Sequence, residues 1–243
     1  MRRLLLLILI VGALVAGSPS AAFSTGGLEV HVVAVSLGDA IYVRAPSGVD
    51  RVIDGGNNRD ELAEYLLSIG ETEIDIVVAS HPDADHIRGL IRNVEDFSPA
   101  EIWVNGEART TNVAEEFDAA AAASGATVEV GRQGDLLQLG TVNLEVLHPV
   151  SLGSDANDNS LVLRLDAGES SALFTSDLEV AGEAELIAAG VPLDIDFLKV
   201  GHHGSRSSTS APFLAATMPD LAVYSALDGN RFGHPHASSR GAS

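Results

Sequence analysis

Within the stretch His81-Pro82-Asp83-Ala84-Asp85-His86, two imidazoles and two carboxylates stand in close succession. Imidazole nitrogen and carboxylate oxygen are ligands that hold a catalytic divalent metal while leaving a position open for water. One loop cannot complete a coordination shell, so partners from elsewhere in the chain are expected. Asp177 follows the apolar run 171–176, and His202 and His203 follow the run 195–200. Each of these residues therefore stands just past a strand-like segment, as it would if several strand ends converged on one site. The alternative is a solvated acidic loop with incidental histidines. It does not account for the same arrangement recurring at separate strand ends.

The elements that must position these residues are legible from periodicity. Residues 76–79 are apolar and β-branched at their start, a short buried strand. The apolar pattern resumes over 87–94, with Gly89 inside it, and reads as a helix. The segments 28–35 and 40–45 read as paired strands joined by Ser36-Leu37-Gly38-Asp39. Residues 51–56 form a strand ending at Asp54 beside Gly55 and Gly56. An amphipathic helix over 58–69 carries Leu62, Leu66 and Ile69 on one face and stops at Gly70. Further strands are expected at 101–104, 127–130, 135–139, 142–147 and 221–225. A hairpin spans 161–165 and 171–176 around Gly168, and helices are expected at 111–124, 180–189 and 209–216. A polar loop covers 151–159, and there is no internal repeat.

Composition bounds the function. The 243 residues suffice for one large domain with a substantial core. The absence of cysteine rules out disulfides and thiolate metal sites. Formal net charge is −20, and Lys199 is the single lysine. So acidic a chain is poorly suited to hold a polyanion by charge alone, although Arg88, Arg206 and Arg231 flank the motifs and supply a local basic rim. Residues 1–22 read as a signal peptide: Arg2 and Arg3, an apolar stretch over 4–16, then small residues before a cleavage point. An uncleaved anchor is the alternative. Residues 23–27 read as a short flexible lead-in and 28–243 as the domain. A secreted or extracytoplasmic protein is expected, with no stable membrane span after cleavage.

The segment His81-x-Asp83-x-Asp85-His86 resembles the HxHxDH motif of the metallo-β-lactamase superfamily, with Asp in place of the second His. Together with Asn159-Ser160-Leu161-Val162-Leu163 and Leu198-Lys199-Val200-Gly201-His202-His203-Gly204-Ser205, it is similar to the hydrolase domain of ComEC-type competence proteins. The resemblance runs from about Leu28 to His234. It implies an α/β fold, an αββα sandwich of two mixed sheets with the site along one edge.

It also implies one or two divalent ions (Mn, Mg or Zn) held by His81, Asp83, Asp85, His86, Asp177 and His203. Two carboxylates in the first loop harden the site and favour manganese or magnesium over zinc. Asp85 or Asp177 would orient the attacking water. His234, or whichever of His202 and His203 is not a ligand, would protonate the leaving group. Asp54, Asn159, His202 and Ser205 are expected to support the ligands or touch substrate, with Ser205 and the neighbouring backbone binding a phosphate oxygen. On extended backbone the side chains of His202 and His203 would point in opposite directions.

Several positions depart from the family pattern. Its usual third histidine is replaced by Asn157-Asp158-Asn159-Ser160, so Asp158 or an asparagine substitutes, or the first site is weak. The turn Val35-Ser36-Leu37-Gly38-Asp39-Ala40 keeps only Gly38, Asp39 and their flanks. His31 reads as a strand histidine without a ligand role, and His148 as a loop residue shaping the cleft or a further ligand. The family usually continues past His234-Pro235, so the domain reads as truncated at its C-terminal end. The function so implied is a phosphodiesterase or nuclease acting on DNA through metal-activated water. A hydrolase of lactone, thioester or β-lactam is the first alternative, and a non-catalytic secreted binding module of the same fold is the second.

Overall fold

The computed structural model describes residues 21–25, 27–139 and 142–236. The expected signal segment lies almost wholly outside them.

Among the described residues two mixed sheets face each other. The first is seven-stranded, in the spatial order β1 to β7: Ala21–Thr25, Leu28–Val32, Ala40–Arg44, Asp50–Gly55, Ile76–Ala79, Glu101–Val104 and Thr127–Val130. The second is six-stranded. It runs β13 (Leu221–Val223), β12 (Phe197–Lys199), β11 (Ser170–Phe174), β10 (Val162–Ala167), β9 (Val142–His148), β8 (Leu136–Leu139). Helices α1 (Glu61–Ser68), α2 (Ala84–Phe97) and α3 (Asn112–Ser124) cover the first sheet, and α4 (Val180–Ala189) and α5 (Ala211–Thr217) cover the second. This is the αββα sandwich.

The layering follows from side-chain alternation along buried strands. Val52 and Val77 pack against the helices, whereas their neighbours Ile53 and Val78 face the second sheet. Because both faces are covered, β4 and β5 are buried throughout, and β5 reads as a continuous apolar run. Two differences from expectation stand out. The segment expected as a flexible lead-in is strand through Thr25, paired antiparallel with β2 (Phe23 opposite Val30). And α2 begins at Ala84, not beyond the motif. Asp83 occupies its N-cap position with extended backbone, so Asp85 and His86 lie in the first helical turn.

Strand direction decides where the site forms. β4 and β5 are parallel, as are β11 and β12. Their C-terminal ends carry Asp54, His81, Asp177 and the His202–His203 pair respectively, so these residues arrive at one edge of the sandwich. Strand-end loops on a rigid sheet are where functional side chains concentrate.

Candidate metal centre

The motif is held from beneath. Asp54, at the end of β4, accepts hydrogen bonds from the Ser80 amide (2.8 Å) and the Ser80 hydroxyl (2.7 Å). It also accepts from Nδ1 of His86 at 2.8 Å. Its backbone is left-handed, with a φ of 57°. One buried carboxylate thus fixes both the loop and the ring orientation of His86, leaving Nε2 of that ring aimed at the site. His81 is fixed by hydroxyls: its Nδ1 lies 3.1 Å from Ser80 Oγ and 3.4 Å from each of Ser160 Oγ and Ser176 Oγ. Ser80 and Ser176 hydroxyls meet at 2.6 Å, joining the two sheets under the motif.

Asp177 sits at the centre. Its Oδ2 lies 3.3 Å from His86 Nε2 and 3.7 Å from His202 Nε2, and its Oδ1 lies 3.5 Å from His203 Nε2. Asp85, on the first turn of α2, brings Oδ2 to 3.6 Å from His203 Nε2. Ligand atoms of His81, His86 and Asp177 all lie within 4.8 Å of one another, as do those of Asp85, His86 and His203. Buried Nε2 atoms of His81, His86 and His203, and Oδ1 of Asp177, have no hydrogen-bond partner. Buried polar atoms are ordinarily paired. These residues fall in overlapping groups that share His86 and Asp177, which is what one or two divalent ions would satisfy, so the donor set fits a metal.

Neighbouring charges in the cluster shift one another's protonation. Burial alone would lower the pKa of His203, but the Asp177 and Asp39 carboxylates outweigh it and hold the ring up to about 10. Burial opposes protonation of His86 too, and Asp177 with Asp54 raises it well above the usual histidine value. His81 goes the other way, lowered by burial and then by repulsion from His86. Burial would raise Asp177, yet His203 and His86 hold it well below the ordinary carboxylate range.

Asp39 is the residue that sequence reasoning undervalued. It is buried in the turn before β3, takes Nδ1 of His203 at 3.2 Å, and pairs with buried Lys199 at 2.7 Å. It lies near Asp177 and His203 in a further group of possible ligands. Its oxygens are already engaged, so it acts on His203 as Asp54 acts on His86. The one available signal was the Gly38-Asp39 remnant of the family turn, combined with a lone lysine in an apolar strand.

Other expectations are corrected. His202 and His203 are not on extended backbone: both have positive φ (46° and 55°), a left-handed turn within Gly201–Gly204. The two rings therefore approach Asp177 together instead of pointing apart. His203 takes Asp39, while His202 Nδ1 donates to Glu179 Oε1 at 3.1 Å. Asp158 is drawn away, its Oδ1 accepting the amides of Glu179 (2.9 Å) and Gly182 (3.1 Å) at the start of α4. Asn159 likewise turns from the cluster, bonding Gly153 and Glu107 through its side chain. Near the expected third histidine the chain presents Ser160 to His81. Ser205 is tied into its own loop, its amide bonded to His202 O (2.8 Å) and its hydroxyl to Ser207 Oγ (2.9 Å).

The other residues singled out in the sequence have partners of their own. Asp83 stands at the rim, 3.9 Å from His81 Nε2 and 3.4 Å from the Arg109 guanidinium. His234 comes to the mouth, its ring centroid 5.7 Å from that of His202 and 6.4 Å from that of His203. His148 bonds Ser160 O at 3.3 Å, and His31 bonds the Tyr65 hydroxyl at 2.7 Å. Arg88 donates to Asn57 (3.1 Å), Arg206 approaches His236 (3.5 Å) and Arg231 lies over the Phe232 ring (4.7 Å). Arg109 is thus a cation beside the motif that sequence reading overlooked.

The metallo-beta-lactamase superfamily profile matches residues 35–226. The ComE operon protein 3 of Bacillus subtilis is 30% identical over 228 residues, 86% of this chain and 29% of that protein. The competence protein ComA of Neisseria gonorrhoeae is 41% identical over 96 residues, 39% of this chain and 14% of that protein. The chain spans under a third of the length of either relative. Among solved structures, CmlA, a diiron beta-hydroxylase from Streptomyces venezuelae, aligns with a TM-score of 0.53. That alignment has 15% identity and covers 83% of this chain and 45% of CmlA; at that identity it speaks for the fold alone. Among the described residues no helix is long and apolar enough to cross a membrane. With sandwich, motif and profile in agreement over most of its length, the chain belongs to the metallo-beta-lactamase superfamily.

Proposed function

We propose that this chain is an extracytoplasmic metal-dependent phosphodiesterase acting on DNA. The observation that carries the metal-dependent part is the overlap of buried ligand groups in which three imidazole nitrogens and Asp177 Oδ1 are unpartnered. The competence relatives support the choice of DNA. His81, His86, His203, Asp85 and Asp177 would hold the ion or ions, with Asp83 reaching in from the rim. A bound divalent ion supplies a water of lowered pKa and stabilises charge developing on a phosphoryl oxygen.

The chain's own residues do the rest. Asp54 and Asp39 orient the His86 and His203 rings from behind. Asp85, partly exposed on the first turn of α2, is placed to orient a water and take its proton. His234 stands at the mouth, where a leaving alkoxide would depart, and acts as the proton donor. Metal-free protein refilled with manganese, magnesium or zinc, then assayed on single-stranded DNA, bis-p-nitrophenyl phosphate and nitrocefin, tests the reading. Metal-restored cleavage of the two phosphodiesters is expected. Turnover of nitrocefin alone would transfer the assignment to acyl chemistry, and metal uptake with no turnover at all would leave a binding module.

A further inference from the structure

Beside His81 lies a cavity of about 290 Å³. Its inner walls are apolar: Ala79 at the end of β5, Ile87 of α2, and Ala114, Phe117 and Ala121 on the inner face of α3. The alanines leave the space, because a helix face of larger side chains would fill it. Phe117 is buried at the back of the cavity, only 4% exposed. At the rim stand Asn105, Glu107, Arg109 and Asp118. Arg109 reaches toward the metal motif through Asp83, and the His81 ring belongs to both the centre and the cavity wall.

We infer that this cavity receives the nucleobase of the nucleotide adjoining the scissile phosphodiester. The inference rests on the phosphodiesterase reading above. The volume is at the small end of ligand sites, which run to about 300–1,000 Å³, and suits one flat ring system. A ring of polar groups around an apolar interior matches a heteroaromatic ligand, whose faces are apolar and whose edges form hydrogen bonds. Arg109, between cavity and centre, is placed for the phosphate attached to the base. Packing of a base face against apolar walls is sequence-tolerant. It also gives so acidic a chain a grip on a nucleotide that does not depend on a broad basic surface.

Two variants test it outside the metal machinery. Ala121→Trp fills the cavity, and Ala114→Leu narrows it from the same helix face. Each is assayed as manganese-loaded protein on thymidylyl-thymidine and on methyl p-nitrophenyl phosphate, a diester without a base. Both variants should lower kcat/KM on the dinucleotide by about tenfold or more, and change the base-free diester by less than about twofold. Equilibrium binding of thymidine 5′-monophosphate should weaken in parallel. Equal losses on both substrates, or an undiminished dinucleotide rate in both variants, would overturn the inference. If the wild-type protein cleaves neither diester, the phosphodiesterase reading fails by itself. The cavity's ligand is then decided by the monophosphate titration: weakening in both variants keeps the base pocket, and equal binding removes it.

Discussion

At the scale of single residues, the centre is a set of ligands each oriented from behind. Asp54 holds His86 and Asp39 holds His203, and such supporting contacts typically matter about 10–100-fold in metal affinity. Asp54→Asn should therefore weaken manganese binding by about that factor. Calorimetric titration of a folded variant checks this, and unchanged affinity would remove Asp54 from its supporting role. His234 is on the opposite side of the reaction. Its replacement by alanine should cost about 10²-fold in turnover of DNA, whose alkoxide leaving group needs a proton. Metal content should stay the same, and p-nitrophenolate esters should suffer much less. Equal losses on both substrate types would remove the general-acid role. In the metal-free protein, His203 is raised from 6.5 to about 10. A histidine so raised contributes stability that is fully present below pH 6.5 and lost as pH climbs through about 10. Denaturant melts of metal-free protein should show declining stability across that window, and a flat profile would contradict the assignment.

At the scale of elements, the centre depends on how closely α2 can approach β4. A Cβ built on Gly89 would lie 1.9 Å from Gly55 O, and one on Gly55 would lie 2.5 Å from the Leu90 amide nitrogen. The two glycines let helix and strand backbones touch, which sets Asp85 and His86 over Asp54. Gly89→Ala should force α2 outward and destabilise the protein by about 1–3 kcal/mol, the usual scale of overpacking. Metal affinity should fall with it, because the first turn of α2 carries two of the proposed ligands. Chemical denaturation with metal titration on the same variant reads both effects. Most elements were legible in the chain: the buried run at β5, the amphipathic face of α1 and the Gly168 hairpin all stand where periodicity put them. The start of α2 was not. Asp83-Ala84-Asp85-His86 carries no apolar period, so a helical first turn built of ligands looks like loop until its N-cap is seen.

For the whole molecule, the two sheets are joined at the site by a buried ion pair. Lys199 on β12 belongs to the second sheet, and Asp39, in the turn before β3, belongs to the first. Both are fully enclosed, with Lys199 at 0% and Asp39 at 1% exposure. Removing one partner of such a pair strands the other charge, at a cost of about 3–5 kcal/mol. Lys199→Met should therefore destabilise the fold by about that amount, a loss readable in urea unfolding. A variant with wild-type stability would show that the pair contributes nothing to the join.

The sequence by itself determined the ligand types, the strand-end pattern that brings them together and, through HPDADH with LKVGHHGS, the family and its sandwich. These are local signals: a residue's chemistry and its place relative to an apolar run are written within a few positions. Only the tertiary structure decided which side chains face the centre. Asp158 and Asn159 are of ligand type and in the expected place, but helix α4 and the 153–159 loop claim their polar atoms. His202 and His203 converge because a left-handed turn replaces the extended backbone that adjacency suggested. Asp39 matters because Lys199 and His203, some 160 positions away in the chain, close over it. Competition for hydrogen bonds between segments distant in sequence is settled by packing, and no short-range pattern encodes its outcome.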